Sequence, residues 1–193
     1  NALVMLDAPV LAGWKAHSVH MAKVTGLMKR VSPSKIAVKR REAWASREAM
    51  LAHFSSKSAF ARWAPGVLAD YVDAGSRPDP EAAASGAPEG VRLAFDRSVE
   101  AHIYDTLPHH LGRLIGRHPP RCPVSFIAGT KSTEIRQVGL QATQKLIAEG
   151  NLRHPDRPGQ LMWMEGSHLY PMEKPADTAA AVLNLLAAMK AGG

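Results

Sequence analysis

Three short apolar runs stand out along the chain, and each has polar residues at or beside its carboxyl end. The first run, Ala2 to Val10, is ended by Asp7-Ala8-Pro9. The second is Pro123 to Ala128, and the third is Leu161 to Met164. Short, continuous apolar runs of this kind are typical of strands buried on both faces of a sheet. The pattern therefore predicts three buried strands with polar residues where they end.

Apolar residues at helical spacing follow the second and third of these runs. One set, closed by Gly150, consists of Ile135, Val138, Ala142, Leu146 and Ile147, and the other consists of Val182, Leu183, Leu185, Leu186 and Met189. The order strand, helix, strand, helix implies crossover connections and a parallel sheet covered by helices on both faces. The predicted fold class is α/β.

The middle of the chain carries helical signals and no clear strand. Ser46 is predicted to cap one helix, and Pro65 and Gly75 to mark the two ends of another. Residues 76–90, rich in proline, glycine, serine and alanine, are predicted to form a loop or lid. We therefore expect a core strand in 1–12, a mainly helical insertion in 13–120, and the rest of the α/β core in 121–193.

Composition narrows the class of protein. Of 193 residues, 46% are hydrophobic, which is enough for a packed core, and 24 basic against 17 acidic residues give a net charge of +7. The densest basic stretch runs from Lys29 to Arg41 with no accompanying nucleic-acid motif, so it is interpreted as a solvated face. We expect no nucleic-acid partner.

The single cysteine, Cys122, excludes an internal disulfide and favours a reducing, cytoplasmic location. It is interpreted as a small core residue. No run approaches the roughly 20 apolar residues of a membrane span, so no membrane partner is expected. The chain opens at Asn1 directly before an apolar run, which suggests a start within a strand.

Candidate chemistry lies at the predicted strand ends. Ligand sites in parallel sheets form beyond the carboxyl ends of the strands, so Asp7, the segment 132–134 and His168 are expected to lie close together. Imidazole can accept and return a proton near neutral pH, which makes His168 the first candidate for acid–base catalysis. The alternative is a loop histidine satisfied by water.

A carboxylate usually orients such a histidine, and two candidates are present. Asp7 ends a strand and can orient the imidazole, although a turn aspartate bonding its own backbone would have the same sequence. Glu134 lies in the first turn of a predicted helix, where a carboxylate also complements the helix dipole.

The nine histidines raise the possibility of a metal site, and His109 and His110 with His102 and His118 form the closest grouping along the sequence. Adjacent histidines on a helix point in different directions, and the spacing matches no zinc pattern. We therefore expect no metal and no other cofactor.

Several segments, taken in order, resemble the C-terminal half of an α/β-hydrolase, and specifically bacterial members with a helical cap. They are Val4-Met5-Leu6-Asp7-Ala8-Pro9, Trp44-Ala45-Ser46-Arg47-Glu48, Phe60-Ala61-Arg62-Trp63, and Glu165-Gly166-Ser167-His168-Leu169-Tyr170-Pro171-Met172-Glu173. The likeness covers nearly the whole chain. It implies a partial α/β-hydrolase sheet with a helical cap insertion.

The resemblance also implies roles for the candidate residues. His168 matches the general base of that family. Many members carry the acid, an aspartate, in the turn that corresponds to Gly129-Thr130-Lys131-Ser132-Thr133-Glu134, and this chain has no aspartate there. Other members take the acid from the strand end that corresponds to Asp7. We therefore expect Asp7 to be the acid, with Glu134 as the substitute. The chain contains no G-x-S-x-G nucleophile elbow, so the nucleophile is expected in an upstream half.

The function implied by the resemblance is hydrolysis of an ester or similar acyl bond by a serine-type enzyme, with this chain inactive alone. Alternatives are a dehalogenase or epoxide hydrolase with an aspartate nucleophile, a non-catalytic protein that binds through its basic face, and a truncated reading frame that does not fold by itself.

The aromatic residues of the middle segment either line a pocket for a small-molecule substrate with an apolar portion or form the core of the cap. They are Trp14, Trp44, Phe60, Trp63 and Tyr71.

Overall fold

The computed structural model describes residues 1–8, 10–27, 34–106 and 108–190. Two compact units are present: Asn1–Ala22 together with Pro108–Gly193, and Lys23–Leu107. They are called the sheet unit and the inserted unit below. The inserted unit falls inside the predicted insertion of 13–120, and its assignment as a cap stays a prediction.

The described elements are as follows, in chain order. The strands are β1 (Leu3–Leu6), β2 (Ala43–Trp44), β3 (Ser76–Pro78), β4 (Val91–Leu93), β5 (Val124–Gly129) and β6 (Leu161–Met164). The α-helices are α1 (Gly13–Val24), α2 (Ser34–Lys39), α3 (Arg47–Ser55), α4 (Val67–Gly75), α5 (Pro80–Ala84), α6 (Arg97–Asp105), α7 (Leu111–Arg117), α8 (Leu140–Arg153), α9 (Tyr170–Glu173) and α10 (Pro175–Ala188). None of the helices in these described ranges is long and apolar enough to cross a membrane.

The sheet unit is built on a parallel sheet with the order β1-β5-β6. Leu6 pairs with Ile127, and Gly129 pairs with Met164, so the carboxyl ends of the strands lie along one edge of the sheet. The predicted α/β class and the parallel arrangement are confirmed. This edge carries the candidate site.

The core of the sheet unit lies on both faces of β5, which is buried along its whole length. Because side chains alternate along a strand, Phe126 packs with Ile147 of α8 on one face, whereas Ile127 packs with Leu185 of α10 on the other. Full burial of a side chain such as Phe126 stabilises the fold by about 1.5–3 kcal/mol relative to exposure. These contacts hold the strand ends in place.

The expectation of strands buried on both faces is wrong for β1 and for β6. Leu3 and Leu6 of β1 are 43% and 39% exposed, and Trp163 of β6 is 42% exposed. The reason is their place in the sheet, because both strands pair with β5 and lie at the edges of the described sheet. An apolar run alone does not distinguish a central strand from an edge strand.

The helix signals agree with the structure in part. The Ser46 side chain accepts a hydrogen bond from the backbone N–H of Ala49 at 3.2 Å, so Ser46 is the N-cap of α3, as predicted. The helix expected to begin near Ile135 starts with a π-helical turn, Ile135–Gly139, and continues as α8 beyond Gly150 to Arg153. Gly150 is therefore an internal helix position.

The inserted unit contains strands that the sequence pattern did not predict. β2, β4 and β3 form an antiparallel sheet in that order, and residues 76–90, expected to be a loop, contain β3 and α5. Strands of two or three residues are too short to show alternation between apolar and polar positions, which explains the miss.

An aromatic cluster forms the core of the inserted unit. Its ring centroids lie between 4.7 and 5.9 Å apart, and its members are Trp44, Phe54, Phe60, Trp63 and Tyr71. Trp14 lies elsewhere, on α1, and is 75% exposed. Four of the five aromatic residues considered as pocket lining therefore contribute to a packed core.

The basic stretch is only partly described, since Lys29 and Arg30 lie outside the described residues. Arg40 forms an ion pair with Glu100 at 2.9 Å, whereas Lys35 and Lys39 are exposed. Cys122, expected in the core, is only partly buried.

Candidate active site

Three loops at the carboxyl edge of the parallel sheet bring the candidate residues together. Asp7 directly follows β1, Glu134 lies in the first helical turn after β5, as predicted, and His168 lies in the loop after β6. One carboxylate oxygen of Asp7, one of Glu134 and one ring nitrogen of His168 all lie within 4.8 Å of one another. The sequence therefore located this cluster, because the edge of a parallel sheet gathers the loops that follow its strands.

Asp7 is buried and fixed by three hydrogen bonds. Its Oδ1 accepts from the backbone N–H of Gly129 at 3.0 Å, and its Oδ2 accepts from Ser132 Oγ at 2.5 Å and from His168 Nδ1 at 2.6 Å. Its backbone φ is +43°, a left-handed conformation that aspartate and asparagine tolerate better than most residues. The carboxylate is thus held in one orientation toward the imidazole.

Hydrogen bonding keeps Asp7 ionised despite its burial. Burial raises the pKa of the carboxyl, but the hydrogen bonds from His168, Ser132 and Gly129 outweigh it and leave the pKa below its usual value. A buried carboxylate with these donors is a strong acceptor for an imidazolium.

His168 has one nitrogen engaged by Asp7 and its side chain 45% exposed, whereas the Asp7 side chain is 1% exposed. The hydrogen bond to Asp7 raises the pKa of His168; burial acts in the opposite direction, and the charges of Glu134 and Asp7 add to the rise. With Nδ1 donating to Asp7, Nε2 is the nitrogen that can accept a proton from a reacting group.

Glu134 lies beside this pair without replacing Asp7. Ser132 Oγ is 3.1 Å from Glu134 Oε2, and the hydroxyl of Thr133 donates to the same oxygen at 3.1 Å. Burial raises the pKa of Glu134, but hydrogen bonds from its own backbone N–H and from Thr133, together with the charge of His168, leave that pKa below its usual value. A second negative charge therefore stands near the imidazole.

Contacts within the loop that carries His168, and between this loop and the one that follows β5, fix the position of His168. Glu173 accepts hydrogen bonds from the backbone N–H and the hydroxyl of Ser167, at 3.1 and 2.6 Å. The backbone N–H of Lys131 donates to the Gly166 carbonyl at 2.8 Å. A side chain at Gly129 would collide with the Ser167 carbonyl oxygen, so glycine permits this approach.

Sequence reasoning placed Ser132 in the cluster but missed its hydrogen bond to Asp7, and it missed Glu173 altogether. Glu173 contacts the residue before His168 through a turn formed by α9, and nothing in the spacing of the two residues indicates that contact.

The spacing of Asp7, Glu134 and His168 would also allow one metal ion to touch all three. However, both oxygens of Asp7 already accept hydrogen bonds, and its 2.6 Å contact with His168 is that of a charge-assisted hydrogen bond. A metal would have to displace Ser132 and the proton on Nδ1. The arrangement fits an acid–base pair better than a metal centre.

The Asp7–His168 pair predicts a stability maximum in mildly acidic solution. The lowered pKa of Asp7 adds stability above its ordinary value of 3.8, which is lost as the pH falls through the lowered pKa. The raised pKa of His168 adds stability that is complete below 6.5 and is lost as the pH rises through the raised pKa.

Urea unfolding midpoints measured from pH 3 to pH 9 should therefore be highest between about pH 4 and 6.5. The decline on the alkaline side should become shallower in His168→Ala and stay unchanged in His118→Ala. An equal effect of both exchanges would show that His168 is not the group responsible.

No protein-family model matches this chain, and no curated protein matches it either. Solved structures do match it. E-2-(acetamidomethylene)succinate hydrolase superposes with a TM-score of 0.56 at 16% identity, over 96% of this chain and 57% of that protein. The thioesterase domain from the curacin biosynthetic pathway gives 0.61 at 13% identity, over 95% of this chain and 57% of that domain.

The peroxisomal alpha-beta-hydrolase Lpx1 of Saccharomyces cerevisiae gives a TM-score of 0.55 at 15% identity, over 86% of this chain and 40% of that protein. The present chain thus spans less than two thirds of each of these three structures. At these identities the likeness shows the fold. The chain has part of the α/β-hydrolase fold, as its sequence predicted.

Proposed function

We propose that this chain supplies the acid and the base of a hydrolase that cleaves an ester or similar acyl bond. The nucleophile, a serine in this proposal, belongs to an upstream half of the same fold. The observation that carries the proposal is the 2.6 Å hydrogen bond between His168 Nδ1 and the buried Asp7 carboxylate. That bond engages Nδ1 and leaves Nε2 as the nitrogen that can accept a proton, as a histidine that serves a nucleophile requires.

In the proposed reaction His168 accepts the proton of the serine hydroxyl as the hydroxyl attacks the acyl carbon. The imidazolium then gives the proton to the leaving group, which produces an acyl-enzyme, and a water molecule repeats the sequence to release the acid. Asp7 stabilises the imidazolium throughout. The raised pKa of His168 supports this role, because it favours the protonated form that the reaction creates.

Asp7 is preferred over Glu134 as the acid because of contact and burial. Asp7 touches Nδ1 directly and has a 1% exposed side chain, whereas Glu134 acts on His168 through its charge and accepts a hydrogen bond from Thr133. A buried, directly bonded carboxylate fixes the tautomer of the imidazole, which a nearby charge does not.

A substrate with an apolar portion is part of this proposal. Leu169 directly follows His168 and is 40% exposed, and Met172 in the same segment is 39% exposed. Apolar side chains next to the base offer contact area to an acyl chain or an apolar leaving group. The same fold in the hydrolase and thioesterase structures is consistent with hydrolysis of such a bond.

The test is hydrolysis of p-nitrophenyl acetate and p-nitrophenyl butyrate by this chain and by the product of its coding sequence extended upstream. We expect hydrolysis by the extended protein only, and its loss in His168→Ala but not in His118→Ala. A fluorophosphonate should label the extended protein if the nucleophile is serine; hydrolysis without labelling would point to an aspartate nucleophile. Hydrolysis that survives His168→Ala would overturn the proposal.

A further inference from the structure

Four of the nine histidines meet at a second place in the sheet unit, in a cavity of about 380 Å³. His17 and His20 come from α1, and His109 and His110 come from the segment just before α7. The sequence pattern grouped His109 and His110 with His102 and His118, but the cavity instead joins them to residues about 90 positions earlier in the chain. This separation explains why sequence spacing gave no metal signal.

The pair His20 and His109 already has the spacing of two metal ligands. His20 Nδ1 lies 3.1 Å from His109 Nε2, and the ring centroids are 4.9 Å apart. Two imidazole nitrogens bound to one tetrahedral ion at about 2.05 Å lie roughly 3.3 Å apart. A bound ion would therefore replace the shared proton between these two nitrogens with only a small movement of either ring.

His17 is the candidate for a third ligand. It precedes His20 by three positions on α1, so both side chains project from one face of the helix. Their ring centroids are 6.5 Å apart, so the exposed His17 side chain has to rotate about its own bonds to bring its imidazole to the pair. His110 packs edge-on against His109 with centroids 5.3 Å apart and fixes the plane of that ring.

The rest of the lining restricts the kind of ion. Besides the histidines it consists of Ala12, Gly13, Ala16 and Arg113, with no carboxylate among them. Calcium and magnesium require oxygen ligands and are therefore excluded, whereas neutral imidazoles suit zinc, nickel and copper. The positive charge of Arg113 opposes any cation and makes strong imidazole coordination necessary.

We propose that this cavity binds one divalent transition-metal ion through His20, His109 and His17. The ion ties α1 to the segment that precedes α7, and it links two residues that are 89 positions apart along the chain. Because the unfolded chain does not hold these ligands together, binding stabilises the folded protein.

Isothermal titration calorimetry of the untagged 193-residue chain with zinc chloride and nickel chloride tests the proposal. We expect one ion per chain, at least tenfold weaker binding in His20→Ala and in His109→Ala, and no heat with magnesium chloride. His102→Ala and His118→Ala serve as matched controls, and their affinity should stay within twofold of the parent. Equal losses in all four variants would overturn the site.

A second measurement uses the unaltered chain, so it does not depend on how the variants fold. Diethylpyrocarbonate modifies unprotonated histidines, and mass spectrometry locates the modified positions. Zinc should protect His20 and His109 but leave the modification of His102 and His118 unchanged. The melting temperature should rise with zinc concentration. Uniform modification with and without zinc would contradict the proposal.

Discussion

Exchange of Asp7 for asparagine is expected to lower kcat for p-nitrophenyl ester hydrolysis by the extended protein about 10³–10⁴-fold. The amide cannot stabilise the imidazolium that forms when His168 takes the serine proton. Its NH₂ group also favours the tautomer of His168 that carries its proton on Nε2, where the base must be unprotonated. KM should change little, because Asp7 is buried and contacts Nδ1, whereas the proposed proton transfer takes place at Nε2.

Asparagine is the appropriate replacement because it tolerates the left-handed backbone of Asp7 and can still accept the Gly129 hydrogen bond. Asp156→Asn, at an exposed turn, is the matched control and should leave kcat unchanged. Glu134→Gln tests the other carboxylate, with an expected loss of less than tenfold. If Glu134→Gln caused the larger loss, Glu134 would be the acid.

Exchange of Gly129 for alanine is expected to have the second largest effect. The added methyl group would collide with the backbone carbonyl of Ser167, and a backbone atom cannot move aside as a flexible side chain can. We expect destabilisation of about 1–3 kcal/mol, as for other overpacked sites. Because Ser167 precedes His168, the displaced loop should also lengthen the contact with Asp7 and lower kcat by about tenfold or more.

Gly116→Ala provides the matched control, since a Cβ at this helical position meets no atom within 4 Å. It should stabilise the protein by up to about 1 kcal/mol, because alanine favours helix more than glycine does. Chemical denaturation of the two variants beside the parent measures both effects. Unchanged stability in Gly129→Ala would show that the two loops do not pack as closely as described.

Elements of the sheet unit were predictable because their signals are local. Val124–Gly129 and Leu161–Met164 stand in the sequence as apolar runs, and a parallel sheet then requires their following loops to share one edge. Asp7, Glu134 and His168 follow from that geometry alone. The roles suggested for them came from the resemblance to hydrolases.

Other features depend on contacts that sequence spacing does not encode. The edge position of β1 is a property of the assembled sheet, and the three strands of the inserted unit are too short to show a period. The hydrogen bond that Ser167 donates to Glu173 and the approach of His20 to His109 arise only when the chain folds. The sequence around the residues of either contact is equally compatible with a more common structural role.

The chemistry proposed for this chain requires an ionised Asp7 to bind and stabilise the protonated imidazole of His168. An NMR titration of the His168 ring Cε1 proton in this chain and in its Asp7→Asn variant measures that interaction directly, without any nucleophile. We expect a pKa above 6.5 in the parent chain and a clear fall in the variant. The same pKa in both proteins would contradict the assignment of Asp7 and His168 as an acid–base pair.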